Sequence, residues 1–296
     1  MALSVEQQQA LKDISLLRAK TGPFAFPNIA KHDVLDGLDD RVRNPYEIDQ
    51  DNASLCGPAS FFYALAKGKP VEYVKFAWSL YETGEATLNN LKVKPSEATK
   101  KYKPVPGMYQ IEAVDWLVLA SLRDSENSNF RYDEPSDQFA GITLPSEIES
   151  WFKKSGFHQI INKTSLVGNM DVKNLQAAHT YQSQQYAVAL FINMNILVSS
   201  SNKSLFAVLP NHWVVLNSDV HINGQVLTPT LAQKLYDERF DAEVFSDEED
   251  VEFTDTVKLN VYSWGTKKVS VKGIDPTKVY LDEFLQNYYG FVAAKK

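Results

Sequence analysis

Apolar positions follow two regimes along the chain. In the first half they recur at helical spacing. Leu11, Ile14 and Leu17 repeat every three residues, and Ser4 with Gln7 has capping-box spacing, so the chain is expected to open on a helix. Residues 21–54, with TGPFAFPN and NPYEIDQDNAS, read as a long, turn-rich approach to the next element. That element, CGPASFFYALAKG, is expected to be a helix from about Cys56, with Pro58 in its first turn and Gly68 at its stop. Further helices are expected at 71–84, at 110–124 and from Pro145 to Gly156, with loops at 85–109 and 125–142.

In the second half the apolar runs shorten to strand length. YAVALFINMNIL (186–197), NHWVVLN (211–217) and VKLNVYSWGTKKVSV (257–271) read as strands, with TPTLAQKLYDERF (228–240) a helix among them. Asp275 can cap a last helix, PTKVYLDEFLQNYY, ended by Gly290. Helices first and strands second predict an α+β chain with an antiparallel sheet. One domain is expected, with a mainly helical lobe over 1–155 and a mainly β lobe over 156–296.

Composition narrows the partners. With 296 residues, 44% of them hydrophobic, the chain can bury a core without disulfides or metals. A net charge of -7 argues against the nucleic-acid backbone as a partner. The N-terminus lacks the basic and apolar regions of a secretory signal, and no apolar run approaches the roughly 18 residues of a membrane span. The expectation is a protein cytoplasmic as made, whose secretion or delivery into a target cell would proceed without a signal peptide. The acidic run DAEVFSDEEDVEFTD (241–255) reads as a solvated loop. Neither His-Glu-x-x-His nor Cys pairs, a calcium loop, a phosphate loop or GxGxxG occurs, so no metal or cofactor is expected.

The chemistry centres on the single cysteine. Cys56 falls where a helix should begin, and the partial positive charge there favours the thiolate, the nucleophilic form. Gln50, in the preceding loop, can donate to an oxyanion together with the Cys56 N–H. Of the five histidines, His212 sits at the mouth of a buried strand and is the expected base. His158 and His179 read as surface residues, His32 as a loop residue and His221 as the fallback base. Asp219, Asn217, Tyr262 and Ser263 all remain open as the group that orients the imidazole.

Gln50, five residues, Cys56-Gly57, a helix and, much later, a strand bearing His212-Trp213-Val214-Val215 resemble the papain-like cysteine peptidase superfamily. CGPAS resembles its bacteriocin-processing branch and papain-fold bacterial effectors. The resemblance implies a papain-like fold, an oxyanion role for Gln50, nucleophile for Cys56 and base for His212. Tyr262-Ser263-Trp264-Gly265-Thr266 is similar to the Asn-Ser-Trp-Gly stretch of plant and lysosomal members, although Tyr262 stands where they carry the orienting Asn. In the bacteriocin-processing branch that third residue is an Asp after the His strand, a role Asp219 could take. The implied activity is a protease or amidase acting on a protein substrate through a thioester. Its alternatives are a deamidase or acyltransferase effector of the same fold and a non-catalytic binding module. An effector toxin would bring with it a cognate immunity or inhibitor protein.

Overall fold

The computed structural model describes residues 2–103, 111–126, 143–197, 210–245, 253–270 and 278–296. The fold is mixed α+β with antiparallel strand pairing. The chain divides into two compact units. One holds Met1–His158 with Ser263–Thr266 and Lys296; the other holds Gln159–Tyr262 and Lys267–Lys295.

The first unit is mainly helical. α1 (Val5–Leu17) starts on the capping box: the Gln7 N–H donates to Ser4 Oγ at 3.1 Å and the Ser4 N–H to Gln7 Oε1 at 2.9 Å. α2 (Lys31–Arg43) lies where the sequence predicts only a turn-rich loop. It buries Val34, Leu35, Leu38 and Val42, but Ala30 offers no side-chain cap, so the start leaves no mark in the sequence. α3 (Cys56–Gly68) and α4 (Pro70–Thr83) follow as expected, the latter ended by Gly84 in the left-handed region.

The expected loop at 85–109 contains a small hairpin, β1 (Ala86–Leu88) and β2 (Leu91–Val93), and α5 (Glu97–Lys101). These strands are too short for periodicity to reveal. The helix expected at 110–124 is broken into α6 (Ala113–Asp115), a π-helical turn (Trp116–Ala120) and α7 (Ser121–Glu126). All five residues of the π turn are buried. α8 (Pro145–Lys154) carries Pro in its first turn and buries Ile148, Trp151 and Phe152.

The second unit is built on a six-stranded sheet. Its strands are β3 (His158–Thr164), β4 (Ala187–Ile192), β5 (His212–Leu216), β9 (Asn260–Ser263), β10 (Thr266–Ser270) and β11 (Tyr288–Lys295), in the order β10-β9-β5-β4-β11-β3. β5 lies between β4 and β9, antiparallel to both, and all its residues are buried. α9 (Val172–Ser183) packs on β4 and β11, and α10 is Pro229–Phe245. A second sheet joins β6 (His221–Ile222), β7 (Gln225–Val226) and β8 (Val257–Lys258) in the order β7-β6-β8.

The C-terminal expectation is corrected. Helix survives only as α11 (Leu281–Leu285), and the chain then enters β11. Gly290 ends no helix: it sits inside β11 at φ 101°, where the register against β4 shifts. The strand expected over 257–271 is three strands, interrupted at Leu259 and by the turn after Ser263. Asp275 and residues 246–252 of the acidic run lie outside the described residues, and 241–245, expected as loop, instead continue α10. Among the described residues no helix is long and apolar enough to cross a membrane.

Candidate active site

The segment from Gln50 to Cys56 is short and tightly turned. The Ala53 N–H donates to the Gln50 carbonyl at 3.0 Å and the Leu55 N–H to the Ala53 carbonyl at 2.9 Å, with Asp51 at φ 50°. Cys56 is then the first residue of α3 and 8% exposed. Leu55 provides no side-chain cap, and Pro58 has no N–H to give. Gly57 is required by close approach: Thr143, itself buried, sits where a Cβ would stand.

Gln50 is 4% exposed, and its side chain hydrogen-bonds no described residue; Oε1 is fully buried. Burying an amide in this way costs about 1–3 kcal/mol, and such groups in native proteins call for an explanation. The amide carries a donor and an acceptor, and half a turn about its last torsion exchanges them.

The loop is anchored from beneath. Asp115 takes two hydrogen bonds from Arg41, Nε to Oδ1 at 3.0 Å and Nη2 to Oδ2 at 2.6 Å, and both side chains are buried. The same Oδ2 accepts the Asp49 N–H at 2.9 Å, one residue before Gln50. Glu112 adds a second carboxylate to Arg41 at 2.8 Å. Burial pushes the Asp115 carboxyl up to about 6, against the pull of Arg41. Arg41 is drawn down by burial yet held above its ordinary value by Asp115. A carboxyl titrating near 6 is ionised at neutral pH. The two-point geometry is likewise that of an ion pair.

The Ser263–Thr266 turn belongs to this same unit. Trp264 and Gly265 have φ 47° and 63°, the pattern of a two-residue hairpin turn with both central residues left-handed. A Cβ on Gly265 would come within 2.8 Å of Asp49 Oδ2, so the turn passes directly over the Asp49 side chain. For Trp264 the left-handed conformation is strained, and such strain concentrates at functional sites. Ser263 itself is buried at the end of β9.

His212 and Asp219 belong to the second unit. His212 opens β5 opposite Ile192 and is 3% exposed. Burial pushes its imidazole down to about 3, so the resting ring is neutral. Asp219, largely exposed, has its carboxylate Oδ1 3.2 Å from Nε2 of His179. His179 is not the surface residue its polar surroundings predict: it is 6% exposed, with Nδ1 3.1 Å from the Leu227 carbonyl. His158 and His32 are exposed, and His221 is half-buried on β6.

The sequence reading missed Arg41, Asp115 and Thr143. A usable signal existed only for Asp115, a lone charge inside the apolar run VDWLVLA. Among the described residues no group of three or more His, Cys, Asp or Glu side chains is placed to hold a metal. Comparison with protein-family models, with curated proteins and with solved structures gives no match.

Proposed function

We propose that this chain is a cysteine-dependent hydrolase of papain-like architecture acting on a protein substrate. The observation that carries the reading is the Gln50 amide, buried without a described partner in the tight loop that leads into a helix beginning on the only cysteine. In this reading Cys56 Sγ attacks a carbonyl. The Gln50 amide and the Cys56 N–H receive the oxyanion, and a thioester forms as the leaving group departs. His212 takes the thiol proton, passes it to the leaving group and then activates water. Because burial keeps the ring neutral at rest, His212 begins as a base rather than as half of a standing thiolate–imidazolium pair.

The test is the rate of Cys56 alkylation by iodoacetamide across pH, on wild type and His212→Ala. Cys56 is the sole thiol, so the label reports one site. The expected result is a thiol faster than free cysteine at neutral pH, slowed about tenfold or more by His212→Ala. A Cys56 that titrates near the ordinary thiol value of about 8.5, at one rate in both proteins, would mean a structural cysteine and end the reading. Incubating the active protein with candidate substrates then separates outcomes. Fragments mark a peptidase, and an uncut, deamidated substrate marks a deamidase.

A further inference from the structure

We infer that Arg41 and Asp115 are positioning residues for the oxyanion donor: together they hold the Asp49 N–H and so set the place of the Gln50 amide beside the start of α3. The inference rests on the reading of Cys56 as a nucleophile and Gln50 as its oxyanion donor. The chain of contacts is continuous and lies in one unit. Arg41 grips Asp115 through two hydrogen bonds, and Asp115 Oδ2 also accepts the Asp49 N–H. Gln50 follows directly, and its carbonyl accepts the Ala53 N–H three residues before Cys56. From the other side Gly265 lies against the Asp49 carboxylate. The Gln50 amide has no described hydrogen bond of its own, so the backbone on either side must fix its position. A carboxylate with its guanidinium is a stiff, planar acceptor for that purpose. A hydrophobic pair of similar volume would fill the space without holding the N–H.

Two reagents separate positioning from folding and from nucleophilicity. Iodoacetamide alkylates Cys56 by displacing iodide and forms no oxyanion. p-Nitrophenyl acetate acylates it through one: the thiolate attacks the carbonyl, the C–O bond breaks, p-nitrophenolate leaves and a thioester remains. The ratio of acylation to alkylation rates therefore reads the oxyanion donors alone. Gln50→Ala sets the benchmark for losing the amide, expected at about a hundredfold fall in that ratio. Asp115→Asn and Arg41→Lys are expected to lower the ratio about tenfold, with the alkylation rate within about twofold of wild type. Arg41→Met with Asp115→Leu guards against unfolding, because exchanging a buried ion pair for apolar residues is often neutral for stability. It should show the same loss of ratio in a protein whose melt matches wild type. An unchanged ratio in that folded double variant, or equal losses with both reagents, overturns the inference while leaving the nucleophile reading intact. A wild-type Cys56 that neither reagent modifies overturns the nucleophile reading itself, and the inference falls with it.

Discussion

The helical unit and the sheet unit bury ionisable groups in opposite ways. In the first, Arg41 and Asp115 are buried as charges, and each carries the other's compensation. In the second, His212 is buried on a strand whose every residue is inaccessible, and it gives up its charge instead. Both routes avoid an isolated charge in a low-dielectric interior. They differ in what they demand of the sequence. A pair needs two ionisable residues far apart in the chain to arrive together, whereas a neutral imidazole needs no counter-charge. They also differ in what happens when one member is removed.

The largest expected effect follows from breaking the pair. Asp115→Ala leaves the Arg41 guanidinium buried against the Gly37 carbonyl with its main carboxylate gone and the exposed Glu112 beside it, and should cost about 3–5 kcal/mol in urea unfolding at neutral pH. A cost below about 1 kcal/mol would mean that water reaches Arg41, and the contrast between the units would fail there.

Next comes pH. The folded His212 ring protonates near 3, while the unfolded chain takes up its proton near 6.5. The stability from a depressed histidine is thus complete above 6.5 and is lost progressively as pH falls toward 3. Asp115, raised to about 6, contributes with the opposite sign, gaining as pH falls through its folded value. A His212→Gln variant shares the Asp115 contribution, so the difference between the two proteins isolates the histidine. Relative to the variant, wild type should lose about 2–3 kcal/mol between neutral pH and about pH 4.5. Parallel stability curves would show that the His212 ring titrates alike in the folded and unfolded chain and that burial in the sheet unit does not depress it.

Smaller effects sharpen the comparison. Asp219→Asn should cost less than about 1 kcal/mol, because the aspartate is mostly solvated although its histidine partner is not. Arg41→Met with Asp115→Leu should unfold within about 1 kcal/mol of wild type, in contrast to the single substitution. If the double variant is as damaged as Asp115→Ala, the pair contributes net stability and is more than a positioning device.

These contrasts explain which parts of the molecule were legible in the sequence. Ser4 and Gln7 announce α1 because a capping box is local, and Cys56 announces α3 because Pro58 and the apolar run after it are local. α2 was missed because Ala30 caps nothing and charges surround its apolar positions, although Val34, Leu38 and Val42 recur at helical spacing. Gly290 was read as a helix stop because a glycine in a bulged strand and one after a helix look alike in one dimension. Gln50, Cys56 and His212 could be named as candidates from motif and order. Arg41 could not be matched to Asp115, nor His179 to Asp219, because each pairing is a product of tertiary contact. His179 in particular lies in a polar stretch, and only tertiary contact places its ring between the Leu227 carbonyl and the Asp219 carboxylate.

The Ser263–Thr266 turn has a consequence for synthesis. It belongs to the same unit as Gln50 and Cys56, yet it leaves the ribosome only after Gln159–Tyr262 have been made. The first 158 residues therefore emerge without the piece that closes over Asp49. Late arrival of so distant a contact makes for slow, non-local completion of the fold. A nascent chain halted before Ser263 should carry a cysteine-bearing helix whose loop is unfinished. The thiol would gain its final surroundings only after Ser263–Thr266 has been made.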